Sequence, residues 1–234
     1  SGWDFSHLEG RWRSQPTDWD YRALVRERLR PTDRLLDMGT GGGEFLLSLN
    51  HPHRLTWATE AWPPNLQLCR ERLSPLGITV IPVEDDARLN IPDGQFDIVI
   101  NRHEAYDLSE VYRVLRPGGA FVTQQVGGEN DASLQARLNP EGVPPHAPFS
   151  LETEVPLFEK HGFTVHYADE CRTELLFFDV GAIAYYAKII PWSYPHFSVE
   201  RNFPQLLALQ WQLEQDGCIA TTEHRFVLVA QKPA

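Results

Sequence analysis

Cysteine is scarce in this sequence, with only three among 234 residues. Cys69, Cys171 and Cys218 are too far apart along the chain to form the close pairs that usually bind zinc. An odd, scattered set is also poor support for disulfide bonds. We therefore expect no metal and no disulfide framework, and the pattern is typical of a protein from a reducing cytoplasm.

Long apolar runs are absent as well. The longest apolar stretch, residues 175–190, is interrupted by Asp179 and Lys188. It is shorter than the roughly 20 residues that span a bilayer. No charged-then-apolar leader opens the sequence. These observations predict a cytoplasmic protein without a membrane partner.

Basic residues are outnumbered by acidic ones, 21 to 32, and the formal net charge is −11. Nucleic-acid binders usually carry a basic face, which this balance disfavours. We expect the protein to act on a small molecule and not on nucleic acid. We expect it to be a monomer or a homodimer. Hydrophobic residues make up 42% of the chain, as is ordinary for a globular protein.

Strand-like and helix-like segments alternate between residues 34 and 126. This alternation implies right-handed crossovers and a parallel, doubly wound sheet. The predicted strands are 34–38, 55–59, 78–83, 96–100 and 120–126, with helices at 44–49, near 66–73 and at 108–115.

The second half of the chain is less regular. Residues 127–150 are rich in Gly, Pro and Asn and lack periodicity, which predicts a long loop. Further on, the pattern predicts a helix from Ser150 to about His161 and a strand at 163–167. It then predicts a buried helix over 177–192, a helix through Leu206 and Leu213, and a last strand at 226–230. The simplest organisation is one domain, 1–234, with a helical and aromatic cap at 1–33, a cofactor-binding core at 34–126 and a lid-like helical insertion at 172–217.

A glycine loop, Asp37 to Gly43, follows the first predicted strand. Glycines let a ligand approach the backbone, and the following helix offers unpaired N–H groups. A dinucleotide site would need a third glycine where Glu44 stands, and an acid there would repel a pyrophosphate. Asp37 instead suits a ligand with a positive ammonium or sulfonium group. Taken alone, the loop also fits a tight turn without a ligand.

Two more acidic positions follow at the ends of the next strands. Glu60 ends the second strand, where a carboxylate can bind a ribose diol. Asp85-Asp86-Ala87 follows the third, where a carboxylate can accept the exocyclic amine of adenine. Either acid alone is more often a solvated loop residue. Together with Asp37 they outline an adenosine site at the edge of the sheet.

Four segments, LLDMGTGGGEF, TEAW, VEDDARLNIPDGQFDIVINRHEAY and VYRVLRPGGAFVTQQ, resemble the class I S-adenosylmethionine-dependent methyltransferases. The resemblance is to the ubiquinone/menaquinone-biosynthesis type, with a methyltransferase domain of type 11 or 25. It covers about residues 34–126 and a closing strand near 224–232. It implies a Rossmann-like, doubly wound sheet of seven strands, mostly parallel with an antiparallel last strand, and helices on both faces.

The resemblance also implies S-adenosylmethionine as the cofactor, S-adenosylhomocysteine as its product, and a set of contacts. The glycine loop would hold the methionine end, Glu60 the ribose and Asp86 the adenine edge. The implied cofactor residues are Asp37, Gly39, Thr40, Gly41, Glu60, Ala61, Trp62, Asp86, Ala87 and Asn101. The segment before LRPGG is shorter than is usual in the family, which puts its role in shaping an acceptor pocket in question.

Residues after the fourth strand lie where an acceptor would meet the methyl group. Methyl transfer from a sulfonium needs mainly positioning and exclusion of water, with a base only if the acceptor must lose a proton. His103 is the first candidate base because its intrinsic pKa suits neutral pH, and Glu104 and Tyr106 follow. A histidine that hydrogen-bonds a helix start is an equally reasonable interpretation of His103.

Aromatic residues elsewhere are candidates for the acceptor pocket: Trp12, Trp19, Trp192, Tyr194 and Phe197. The apolar segment around them is either a lid over an apolar acceptor or a cover for the sheet or a dimer contact. The sequence thus predicts a small-molecule methyltransferase. The alternatives are a methyltransferase for RNA or protein, a nicotinamide-dependent oxidoreductase, and a cofactor-binding protein that has lost catalysis.

Overall fold

The computed structural model describes residues 5–84, 88–139 and 148–234. Two predicted cofactor residues, Asp86 and Ala87, lie outside these ranges. The helices are α1 Tyr21–Arg28, α2 Glu44–Ser48, α3 Pro63–Arg72, α4 Leu108–Val114, α5 Ala132–Leu138, α6 Leu151–Lys160, α7 Val180–Ile189 and α8 Phe203–Asp216. The strands are β1 Trp12–Ser14, β2 Leu35–Met38, β3 Thr56–Glu60, β4 Thr79–Pro82, β5 Phe96–Arg102, β6 Leu115–Val126, β7 Thr164–Phe177 and β8 Ile219–Gln231.

The strands form one sheet in the order β1-β7-β8-β6-β5-β2-β3-β4. The pairs from β6 through β5, β2 and β3 to β4 are parallel, whereas β1 is antiparallel to β7. The predicted mostly parallel, doubly wound sheet is therefore confirmed. The predicted number of seven strands is wrong, because the described residues form eight.

The additional strand is β1, which lies within the predicted N-terminal cap. Trp12 pairs with Phe177, and Ser14 pairs with Leu175. A strand of three residues is too short to show an alternating pattern. Its extended backbone is stabilised by a partner more than 160 residues away along the chain, so local sequence carries little sign of it.

The predicted long loop at 127–150 is partly wrong, because it contains helix α5. Leu134 and Leu138 on this helix are buried. The preceding residue, Asp131, has a left-handed backbone with φ of 56° and makes no side-chain cap. The helix is therefore stabilised by packing of its apolar side chains rather than by a sequence signal at its start.

The buried helix predicted over 177–192 is shorter than the sequence indicates. Residues up to Phe177 belong to β7, and α7 begins at Val180. Asp179 separates the two, since its side chain caps the helix by accepting a hydrogen bond from the Ala182 N–H at 2.8 Å. α7 is buried on one face, at Ala182, Ile183, Tyr186 and Ala187, and not all around as predicted.

The chain divides into two compact units, each named here by its main feature. The glycine-loop unit comprises Trp19–Gln125, Ser150–Glu170 and Phe226–Ala234, and the aromatic unit comprises Ser1–Asp18, Val126–Phe149 and Cys171–Arg225. The predicted single domain, with its cap, core and insertion, stays a prediction.

The parallel strands β2, β3 and β5 of the glycine-loop unit are buried along most of their length, whereas the edge strand β4 has no buried residue. β2 is buried at all four positions, and β5 is buried from Ile98 to Asn101. Near-continuous burial is typical of parallel strands covered on both faces. No helix in the described part of the chain combines the length and apolarity needed to cross a membrane.

Candidate active site

The glycine loop leaves the carboxyl end of β2 and is fixed to the end of β3. Gly39, Gly41 and Gly43 all have positive φ angles, of 68°, 61° and 80°. The Thr40 N–H donates to the Thr59 carbonyl at 3.0 Å. A side chain at Gly41 would meet no described atom within 4 Å. The loop is therefore anchored to β3, and the space beside the Gly41 Cα atom is open.

Glu60 joins the loop to the start of α3. Its Oε2 accepts the Gly41 N–H, and its Oε1 accepts the Trp62 N–H, both at 2.9 Å. The residue is only 3% exposed. Each carboxylate oxygen has a further lone pair for a hydroxyl donor. Glu60, the residue predicted to bind the ribose, thus lies beside the glycine loop. The neighbouring Ala61 and Trp62 are exposed.

Asp37, at the start of the loop, is also buried, with 5% of its surface exposed. It accepts a hydrogen bond from the Thr40 hydroxyl at 2.7 Å. Burial raises the pKa of Asp37 to about 7. The hydrogen bond from Thr40 and the charge of Arg102 lower this pKa, whereas the charge of Glu60 raises it further. A cationic group of a ligand beside this carboxyl would favour its ionised form.

Asn101, at the end of β5, pairs in register with Met38 of β2. Its side chain is fully buried, and its Oδ1 accepts the Gln125 amide at 2.6 Å and the Thr123 hydroxyl at 3.2 Å. The structure therefore fixes this predicted cofactor residue next to the end of β2, with an orientation set by β6.

The residues after β5 divide into two groups by their contacts. Glu104 lies against the glycine loop, since a Cβ atom at Gly39 would be 2.7 Å from Glu104 Oε2. The Tyr106 hydroxyl instead donates to Glu154 Oε2 of α6 at 2.8 Å, and burial raises the pKa of Tyr106. Of the two, only Glu104 is shown in contact with a predicted cofactor residue.

His103 is exposed and has a left-handed backbone, with φ of 61°. Its N–H donates to the Gln124 carbonyl at 2.9 Å, and its ring Nε2 lies 3.0 Å from Gln124 Nε2. Gln124 Oε1 in turn accepts the Trp19 indole N–H at 2.8 Å. The predicted pocket residue Trp19 is thus linked to the predicted base through Gln124, which sequence reasoning missed.

Acidic groups dominate the glycine loop. Glu44 lies against Gly42, where a Cβ would be 2.5 Å from its Oε1, and it is paired with Arg72. Together with Asp37, Glu60 and Glu104, it gives the loop a negative lining. Such a lining suits an ammonium or sulfonium group and opposes a pyrophosphate, as the sequence predicts.

Tyr21 is a supporting residue that sequence reasoning missed. Its hydroxyl donates to the backbone carbonyls of Asn101 and Val122, at 3.0 and 3.2 Å. Its ring packs at 5.3 Å from Phe45 of α2. The aromatic residues of the N-terminal segment hint at such packing, but nothing local identifies the carbonyl partners.

Three of the four predicted acceptor-pocket residues of the aromatic unit share one apolar cluster. Tyr194 is buried there, and Trp12 and Phe197 pack against the cluster. Trp12 lies 5.9 Å from Tyr186, measured between ring centroids. Trp192 is 57% exposed.

The aromatic unit also contains a buried acid, Asp131. Its Oδ2 accepts the Tyr186 hydroxyl at 2.5 Å and the Asn130 amide at 2.7 Å. Burial raises the pKa of Asp131 to about 7. Asp131 Oδ1 and the Tyr194 hydroxyl are buried without a hydrogen-bond partner among the described residues.

Within residues 5–84, 88–139 and 148–234, no group of three His, Cys, Asp or Glu side chains is placed to hold a metal ion. The expected absence of a metal stays a prediction.

The parallel sheet with a glycine loop after β2 is a Rossmann-like arrangement. Residues 36–123 match the family model described as a methyltransferase domain. The resemblance to methyltransferases predicted from the sequence is therefore confirmed for this part of the chain.

Two curated proteins of known name are similar to part of this chain. A demethylmenaquinone methyltransferase from Thermus thermophilus is 34% identical over 114 residues, which cover 44% of this chain and 52% of the relative. A ubiquinone/menaquinone biosynthesis C-methyltransferase from Neisseria meningitidis is 30% identical over 118 residues, covering 44% and 47%. The chain spans about half the length of the relatives it matches.

Solved structures share the fold over nearly the whole chain. The YcgJ protein from Bacillus subtilis aligns with a TM-score of 0.61 and 18% identity, covering 92% of this chain and 98% of that one. The [4+2]-cyclase SpnF aligns with a TM-score of 0.55 and 19% identity, covering 91% and 80%. At such identities the likeness establishes the fold alone, and the reaction must be inferred from the site.

Proposed function

We propose that this protein transfers a methyl group from S-adenosylmethionine to a small-molecule acceptor. One observation carries the cofactor part of this proposal: the Glu60 carboxylate, at the end of β3, is hydrogen-bonded to the open backbone at Gly41. This is the arrangement in which a carboxylate receives a ribose diol beside a loop that admits the rest of the ligand.

The predicted cofactor residues have distinct tasks in this proposal. Asp37 binds the ammonium of the methionine moiety, Gly41 allows the close approach, and Glu60 holds the ribose hydroxyls. Ala61 and Trp62 border the adenine, and the predicted adenine contacts Asp86 and Ala87 complete the set. The bound cofactor supplies the activated methyl group.

The protein's own contribution to the reaction is positioning. The leaving thioether is neutral, so the transfer needs an aligned acceptor and little water rather than a strong acid. Glu104 is the candidate closest to the cofactor loop, because its side chain lies against Gly39. We propose it as the group that orients the acceptor or takes its proton. Tyr106 is a second candidate, although its hydroxyl is engaged with Glu154.

The acceptor class is drawn from the relatives. Both are named as enzymes that methylate quinones or their precursors. We therefore propose a small aromatic or apolar acceptor, with Trp12, Trp192, Tyr194 and Phe197 as candidates for its contacts.

Ligand-induced thermal stabilisation tests the cofactor part. S-adenosylhomocysteine should raise the Tm of the wild type, with a gain of about 2.7 kcal/mol at a hundredfold excess over Kd. Glu60→Ala should lose this response. Tyr112→Phe is a matched control, because Tyr112 packs on Phe163 away from the loop residues. A rise with NAD(H) and none with S-adenosylhomocysteine would contradict the proposal.

A screen of metabolites with methyl-labelled cofactor tests the transfer itself. Label should appear in a small organic product. Label recovered in RNA or protein, or cofactor bound without any transfer, would overturn the acceptor part and leave the cofactor part standing.

A further inference from the structure

Three side chains of the glycine-loop unit form one hydrogen-bonded chain. The Trp19 indole N–H donates to Gln124 Oε1 at 2.8 Å, and Gln124 Nε2 lies 3.0 Å from His103 Nε2. Trp19 and Gln124 are buried, at 8% and 9% exposure. The order of donors and acceptors along these hydrogen bonds determines the tautomer of the His103 imidazole.

The indole N–H of Trp19 can only donate a hydrogen bond. The amide oxygen of Gln124 must therefore face Trp19, which leaves its NH₂ group facing His103. An amide nitrogen also only donates, so His103 Nε2 has to accept. A neutral imidazole that accepts through Nε2 carries its proton on Nδ1.

Gln124 also holds the backbone of the same residue. The His103 N–H donates to the Gln124 carbonyl at 2.9 Å. His103 has a φ of 61°, which a residue with a Cβ atom adopts at some cost. Gln124 thus contacts His103 at two points, one on the backbone and one on the ring.

We propose that Gln124 is a positioning residue that selects the Nδ1-protonated tautomer of His103. Trp19 orients the Gln124 amide by donating to its oxygen. The Gln124 NH₂ group then donates to His103 Nε2. This inference rests on the proposed function only for its consequence in catalysis: the Nε2 lone pair is used by Gln124, so it does not take a proton from the acceptor.

Nitrogen-15 NMR of the imidazoles measures the tautomer directly and requires neither cofactor nor acceptor. The chain has nine histidines, so His103→Gln is used to identify the His103 resonances by their disappearance. At a pH above the titration of the ring, the wild type should show Nδ1 as the protonated nitrogen and Nε2 as the unprotonated one.

The substitution Gln124→Glu should reverse this pattern. A carboxylate accepts both from the Trp19 N–H and from a protonated Nε2, so the His103 proton should move to Nε2. Gln125→Glu is the matched control: it is the same change one residue further on, where the side chain bonds Asn101 and Thr123 instead of His103. It should leave the His103 tautomer as in the wild type.

Two results would overturn the proposal: a wild-type His103 protonated on Nε2, or a Gln124→Glu variant with an unchanged tautomer and a native NMR spectrum. If Gln124→Glu fails to fold, Trp19→Phe tests the proposal instead. It removes the donor that orients the Gln124 amide, so the preference of His103 for the Nδ1-protonated tautomer should weaken. Binding of S-adenosylhomocysteine, measured separately, reports on the proposed function, so failure of the one is distinguishable from failure of the other.

Discussion

Two buried carboxyl groups, one in each compact unit, have the same shifted acidity and different surroundings. Burial raises the pKa of both Asp37 and Asp131 to about 7. Asp37 precedes a glycine loop with open backbone at Gly41, whereas Asp131 is fully buried and accepts hydrogen bonds from Tyr186 and Asn130. A shifted pKa therefore does not by itself mark a ligand site. We propose the ligand site at Asp37 because of the open space beside Gly41, and not because of its pKa.

The largest expected effect is on cofactor affinity. Asp37→Asn removes the charge proposed to bind the ammonium while it keeps the shape of the side chain. Hydrogen bonds to charged groups contribute about 1.5–3 kcal/mol, so S-adenosylhomocysteine should bind roughly 10- to 100-fold more weakly. Isothermal titration at pH 8 measures this. An affinity equal to that of the wild type would show that Asp37 is as structural as Asp131.

Asp131→Leu should affect stability instead of binding. It leaves the buried Tyr186 hydroxyl and Asn130 amide without their acceptor. The free energy of unfolding should fall by about 2 kcal/mol. Urea denaturation measures the change, and titration with S-adenosylhomocysteine below the unfolding range provides the control. A loss of cofactor affinity in the folded variant would remove the distinction between the two acids.

The pH dependence of stability gives a smaller effect. An unfolded aspartate titrates near pH 3.9, and the folded Asp131 carboxyl keeps its proton up to about pH 7. Between these values the folded state binds more protons, so the free energy of unfolding decreases as pH rises, by at most about 1.4 kcal/mol per unit for each group.

Asp131→Asn should remove the contribution of Asp131 and flatten the profile in this window, as followed by denaturation at several pH values. The effect of Asp37 should persist in that variant. A profile parallel to that of the wild type would mean that Asp131 is ionised throughout.

The exposed acid of the loop should matter least. Glu44 pairs with Arg72, and both side chains are largely exposed, so the ion pair is screened by solvent. Arg72→Gln should change the free energy of unfolding by less than about 1 kcal/mol, and cofactor affinity should stay close to that of the wild type. A large loss of affinity would place a functional charge at Arg72.

The sequence was most informative where function and local pattern coincide. Alternating strands and helices predicted the parallel sheet, because buried parallel strands need continuous apolar runs. The proximity of Asp37 and Glu60 was predictable because they lie at the ends of successive strands. The carboxyl ends of parallel strands meet at one edge of a sheet, so order along the chain indicated proximity.

Other features depend on partners far away in the chain and were not predictable. β1 has three residues and forms through β7. Gln124 lies in the segment VYRVLRPGGAFVTQQ, which carries part of the family resemblance. Its hydrogen-bond partner Trp19 is 105 positions away along the chain, so the local sequence does not indicate the contact. The two donors to Asp131 follow from packing in the aromatic unit, in a segment that composition suggested to be a loop. No local pattern specifies such contacts.

The central claim is that ionised Asp37 binds the ammonium of S-adenosylmethionine. The most direct measurement is the affinity for S-adenosylhomocysteine from about pH 5.5 to about pH 8.5 in the wild type and in Asp37→Asn. The wild-type affinity should rise nearly tenfold per pH unit up to about pH 7, then level off, because the ligand binds the ionised carboxyl. The variant should bind weakly with no such rise. Identical pH profiles for the two proteins would contradict the claim.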